Sequence, residues 1–130
     1  MKTKIGFLVM LLFAGVLTIQ AQGGGGGGFQ MPTVEERMKV TMEKLAELKL
    51  DKDQTTKADS IFANYYRAQN KMIEDMRAAG GQPDREKMRA DREKMTGERD
   101  EKLKKVFTED QFKKFKDEIE PTLRRGGRQQ

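Results

Sequence analysis

The sequence predicts an all-α protein of four helices, at about 34–49, 52–79, 85–106 and 109–119. Three observations carry this. Apolar residues recur at spacings of three and four along most of the chain. The same cap-and-return phrase, Thr or Asp followed three residues later by Glu or Gln, opens three of the segments. Where apolar residues thin out, oppositely charged side chains stand four apart instead.

The first helix opens on Thr33 with Glu36, a capping box in which each side chain satisfies an orphan backbone N–H. Val34, Met38, Met42, Leu45 and Leu48 follow as one apolar stripe. Pro32 lies before the cap, where its missing N–H does no harm. The second helix repeats the phrase with Asp51 and Gln54, behind Leu50, which stands where a hydrophobic staple belongs. Its staple partner would be Thr55, a poor one. Ala58, Ile61, Phe62, Tyr65, Met72, Ile73 and Met76 are its apolar positions. At ~1.5 Å per residue such a helix is about 42 Å long, so an elongated domain is expected. Gly80-Gly81-Gln82-Pro83 ends it, and Asp84 caps the third helix.

The third helix carries DREKM twice at a heptad offset, at 84–88 and 91–95. Met88 and Met95 stand a heptad apart, flanked by Arg85, Arg92 and Arg99 at the same interval. Lys87–Asp91, Arg89–Glu93, Lys94–Glu98, Glu98–Lys102 and Glu101–Lys105 can each pair along the helix. Together they offset Gly97, which costs ~1 kcal/mol relative to Ala. A helix this polar is expected to lie over something or line something. The fourth opens on Thr108 and Gln111, with Phe107 and Phe112 as a good staple, and Pro121 is expected to stop it. Phe112, Phe115 and Ile119, with Phe62, Tyr65, Val106 and Phe107, are the expected apolar cluster. That is a thin core, and self-association as an antiparallel dimer would supply the missing burial.

The ends read differently. Lys2 and Lys4 precede an apolar run from Ile5 to Ile19, and Gln20-Ala21 leads into Gln22. This is the pattern of a cleavable signal peptide, residues 1–21, with the cut after Ala21 and an extracytoplasmic destination. The run falls short of the ~20 apolar residues of a spanning helix, so no stable membrane insertion is expected after cleavage. Residues 22–32, with Gly23 to Gly28, read as a flexible tether ahead of a helical domain at 33–121. Residues 122–130, with Arg124, Arg125 and Arg128, read as a disordered basic tail. Without Lys2 and Lys4 the 26 basic side chains become 24 against 21 acidic ones, a formal +3. The charges alternate in sign, and export argues against nucleic acid. Anionic surfaces or unfolded polypeptides are the more natural partners.

Chemistry is conspicuous by what is missing. The chain has no Cys, His or Trp, and its single Ser is Ser60. A thiolate nucleophile, the usual neutral-pH general base and the commonest metal ligands are therefore absent, as is a lipid-anchoring Cys. Ser60 near Lys57 lies on a polar helical surface and is not read as a nucleophile. Met38/Met42 and Met72/Met76 could offer paired thioethers to Cu(I). Without His or Cys to complete a site they are read as adaptable apolar surface. No enzyme activity, cofactor or metal is expected.

Two helix-start phrases behind a signal peptide carry a resemblance. Leu50-Asp51-Lys52-Asp53-Gln54 and Phe107-Thr108-Glu109-Asp110-Gln111 are similar to the LTxxQ motif of the Spy/CpxP family of periplasmic proteins. The first has Asp for Thr and the second Phe for Leu. Both changes keep the cap or the staple. The resemblance spans about residues 33–121 and implies a four-helix fold in a cradle-shaped antiparallel homodimer. It also implies an ATP-independent chaperone for unfolded or misfolded proteins under envelope stress. The alternatives within the family are a stress-response regulator docking on a sensor-kinase domain and a metal-responsive relative. The family places clients on a basic surface with apolar patches. Met72, Met76, Met88, Arg89, Arg92 and Met95 fit that description.

Overall fold

The computed structural model describes residues 31–126. The expected signal segment, the glycines of the tether and residues 127–130 lie outside the described residues. Within them all regular structure is helical. Helix α1 (Val34–Leu45) tightens into a 3-10 turn (Ala46–Leu48), and α2 (Lys52–Ala79) and α3 (Arg85–Val106) follow. The fourth helix is interrupted. Its first part, α4 (Glu109–Lys114), widens into a π turn (Phe115–Ile119) and resumes as α5 (Glu120–Gly126). No helix among the described residues is long and apolar enough to cross a membrane.

All three capping boxes close. Thr33 Oγ1 accepts from the Glu36 N–H at 3.2 Å, Asp51 Oδ1 from Gln54 at 2.7 Å, and Thr108 Oγ1 from Gln111 at 3.2 Å. The return bonds, from the cap N–H to Glu36, Gln54 and Gln111, are formed as well. Asp84 caps α3 differently, its Oδ1 accepting from both Glu86 and Lys87. Gly80 and Gly81, both at positive φ, make the turn between α2 and α3. Of the five expected ion pairs on α3, Lys87–Asp91 and Arg89–Glu93 are closed.

Two helix ends differ from expectation. The first helix does not stay α to residue 49: it tightens to a 3-10 turn after Leu45 and stops at Leu48, where Lys49 turns the chain with φ 52° and ψ 49°. Its N–H reaches back only to the Ala46 carbonyl, the tighter 3-10 pattern. That left-handed conformation costs roughly 1–2 kcal/mol in a residue other than Gly. Nor does the fourth helix stop at Pro121, since helix continues to Gly126. The π turn is the reason. The Glu120 N–H reaches back to the Phe115 carbonyl, so Pro121 enters in the first turn of a fresh α segment, where its missing N–H is tolerated. Residues 122–126 of the expected tail are thus helical.

The core gathers Leu45 and Leu48 from the end of the first helix, and Ala58, Phe62 and Tyr66 from α2. Leu103 and Phe107 join from α3 and its end, Phe115 and Ile119 from the π turn. Phe62 meets Phe115 edge-on at 5.7 Å between ring centroids. Of the expected cluster, Tyr65, Val106 and Phe112 are only half-buried. Tyr66 takes the place expected of Tyr65. Ala58, Phe62 and Tyr66 stand four apart on one helical face. The Tyr66 hydroxyl shares a 2.6 Å hydrogen bond with buried Thr41 on α1, so its polar tip can leave water. Phe107, expected to staple onto Phe112, packs edge-on against Phe115.

This core sits at one end of the α2–α3 pair. No side chain of α2 beyond Tyr66, and none of α3 before Arg99, is fully buried. Some 13 residues of each helix, ~20 Å at 1.5 Å per residue, therefore form a two-helix arm outside the core.

Candidate functional site

The two LTxxQ-like phrases meet. Gln54 and Gln111 use their carbonyl oxygens for their own caps, which leaves their amide N–H groups free to reach across. Gln54 Nε2 donates to the Val106 carbonyl at 2.9 Å and to Gln111 Oε1 at 2.8 Å. Gln111 Nε2 donates to the Leu48 carbonyl at 3.3 Å. Each Gln thus starts one helix and satisfies a carbonyl where the helix preceding the other phrase ends. Leu50 is half-buried against the core and Phe107 is fully buried. The phrase is a structural joint between two helical hairpins.

A second assembly was not foreseen. Arg99, one of three Arg at heptad spacing, is only 6% exposed, whereas Arg85 and Arg92 are exposed. Its Nη2 donates to Glu120 Oε1 at 2.7 Å and to Asp100 Oδ1 at 2.6 Å. Lys116 Nζ donates to Asp100 Oδ2 at 2.7 Å and also pairs with Glu120, which Arg124 reaches at 3.0 Å. The Arg99 guanidinium lies over Tyr65 at 4.8 Å and Phe115 at 5.3 Å from the ring centroids, within cation–π range. Burial alone would raise the Glu120 pKa. The hydrogen bonds from Lys116 and Arg99 and their charges overcome it and hold the group at about 2. Burial likewise lowers the Arg99 and Lys116 pKa values, and their carboxylate partners more than restore them. The cluster ties α3 to α5 across the aromatic core. A legible trace existed: Glu98-Arg99-Asp100 is a third, degenerate copy of the Asp-Arg-Glu heptad, with Lys102 replacing Met as the arm gives way to the core.

The candidate client-binding residues lie on the arm. Tyr65 and Thr96, whose hydroxyls are 3.3 Å apart, set the antiparallel register of α2 and α3. Continued outward, that register places Met88 opposite Met72 and Ile73. Met72, Met76, Met88 and Met95 are each half-buried, and none packs against the core cluster. Arg92 is exposed, and Arg89 is exposed and paired with Glu93 at 2.9 Å. At the base of the arm an open groove of about 220 Å³ runs between the helices, lined by Ile61, Tyr65, Ala68, Met95 and Arg99 among others. Among the described residues, no three His, Cys, Asp or Glu side chains are grouped to hold a metal ion. The arrangement offers apolar, polarisable side chains beside guanidinium groups, which suits weak binding to many sequences.

The chain matches no protein-family model, no curated protein and no solved structure.

Proposed function

We propose that the protein is an exported, ATP-independent holdase of the Spy/CpxP type, a periplasmic homodimer that binds unfolded polypeptides and limits their aggregation. The observation that carries the reading is the two-helix arm. Its Met72, Met76, Met88 and Met95 are half-buried and outside the core, and Arg92, between Met88 and Met95 on α3, is exposed. An unbranched thioether can swing from the arm onto a client with little strain, because three rotatable bonds give it reach. Early capture draws on the arginines, so it weakens at high salt. The paired helix-start phrases support the family reading, and a core of nine buried apolar residues supports dimerisation.

The test is an aggregation assay with two unrelated unfolded clients and no nucleotide. It compares the parent with a variant in which Met72, Met76, Met88 and Met95 are all changed to Gln, which keeps length and helix propensity but removes the apolar tip. The variant should remain helical and lose most of its protection. Unfolding of the variant would mean that these residues stabilise the fold and the client face lies elsewhere. A parent inactive on both clients, yet saturably binding one sensor domain, would make the protein a regulator. Sedimentation of the parent should give a dimer, and a cooperatively melting helical monomer at micromolar concentration counts against that part of the proposal.

A further inference from the structure

The methionines are distributed in a particular way. Met31, Met38, Met42, Met72, Met76, Met88 and Met95 are all half-buried, while none is fully buried and none is exposed. The buried apolar residues are Leu, Ile, Phe, Tyr and Ala only. Met38 and Met42 pack against that core, whereas the four on the arm do not. In a chain without Cys, His or Trp, these thioethers are the side chains most open to two-electron oxidation. A side chain that is only half-buried is open to a small oxidant. On the arm, its oxide need not be accommodated in the core.

We propose that Met72, Met76, Met88 and Met95 form a reversible oxidation site that switches off the apolar arm without unfolding the domain. The proposal rests on the reading of the arm as the client face. The oxidant is a peroxide or hypochlorite. With a peroxide the sulfur lone pair attacks one oxygen, the O–O bond breaks, and the other oxygen leaves as water or alcohol. With hypochlorous acid sulfur attacks chlorine, hydroxide leaves, and water then displaces chloride at sulfur with loss of two protons. Sulfur loses two electrons and becomes a sulfoxide. A sulfoxide reductase reverses the step with a dithiol, which is oxidised to a disulfide while the oxygen leaves as water. The sulfoxide is polar, so an arm that offered apolar contact no longer does.

The experiment uses a background with Met31, Met38 and Met42 changed to Leu, volume-conserving swaps that leave the arm with the only methionines among the described residues. Peptide mapping after hydrogen peroxide should find one added oxygen on each arm Met. Helicity should persist and the melting temperature should shift little. Binding of an apolar fluorescent dye and protection of clients should both be largely lost, and sulfoxide reductase with a dithiol should restore them. As a control, all four arm Met are also changed to Leu. Whatever dye binding that variant has must be the same before and after peroxide. The proposal is overturned if the oxidised arm unfolds the domain, if dye binding survives oxidation, or if the Leu control loses dye binding too. An unoxidised parent that protects no client defeats the holdase reading alone, since dye binding and melting still decide the oxidation switch.

Discussion

Gln54 and Gln111, 57 residues apart in sequence, hold each other through a 2.8 Å hydrogen bond from the Nε2 of one to the Oε1 of the other. Each also donates to the last turn of the helix before its counterpart, at Val106 and Leu48. The doubled phrase therefore has two tasks. It starts each helix locally and then joins the two starts to each other, which a capping box alone does not require.

Changing Gln54 to Glu separates those tasks. A carboxylate at the third helical position still accepts from the Asp51 N–H, so the capping box survives. It has no N–H for Val106 or Gln111. Loss of those bonds should cost about 1–3 kcal/mol in denaturant melts. Glu36→Gln, in the box without a partner across the fold, should be nearly neutral. Equal stability of Gln54→Glu and the parent would show that the cross-helix bonds add nothing.

The Arg99–Glu120 cluster predicts acid lability. The Glu120 pKa falls from 4.5 to about 2 on folding. A depressed carboxylate contributes its full stability above its unfolded value and loses it as pH falls through the folded one. Stability from this group should be constant down to about pH 5 and then decline to about pH 2, by ~3 kcal/mol in all. Glu120→Gln should be destabilised at neutral pH and show a shallower acid decline. Parallel acid profiles for parent and variant would exclude Glu120 as the source.

Neighbouring tyrosines should behave differently. Tyr66→Phe strands Thr41, which is 1% exposed and has no other side-chain partner, at a cost of about 1–3 kcal/mol. Tyr65→Phe loses only a half-buried 3.3 Å contact to Thr96 and should stay within roughly 0.5 kcal/mol of the parent. Thermal melts of the two variants settle the order. A reversed order would mean that the buried pair is not the stabilising one.

Phe115 should be the costliest aromatic to truncate. It is fully buried, meets Phe62, Phe107 and Phe112, and lies under the Arg99 guanidinium. Phe115→Ala should lose about 3–5 kcal/mol, enough to unfold a marginal domain. Phe112→Ala, at a half-buried position, should lose clearly less. Similar circular dichroism melts for the two would contradict the assignment of the core.

The amino-acid sequence by itself determined where the helices begin. Thr33, Asp51, Asp84 and Thr108 cap as expected, and α2 and α3 span the expected residues. Such features are legible because both partners of a cap lie within one turn, so no distant part of the fold has to be known. Tertiary structure decided the rest. Tyr65 and Tyr66 are adjacent and chemically alike; Tyr66 continues the buried face of Ala58 and Phe62, and Thr41 on α1 supplies the partner its hydroxyl needs there. Arg85, Arg92 and Arg99 repeat at one interval, and only the third finds Glu120, 21 residues on. Pro121 looks like a stop until the π turn starts a new helical segment beneath it. In each case the local pattern permits several outcomes of nearly equal energy. For Tyr66 and Arg99 the choice falls to packing against distant elements, because a buried polar group left unpaired costs about 1–3 kcal/mol and a buried charge more.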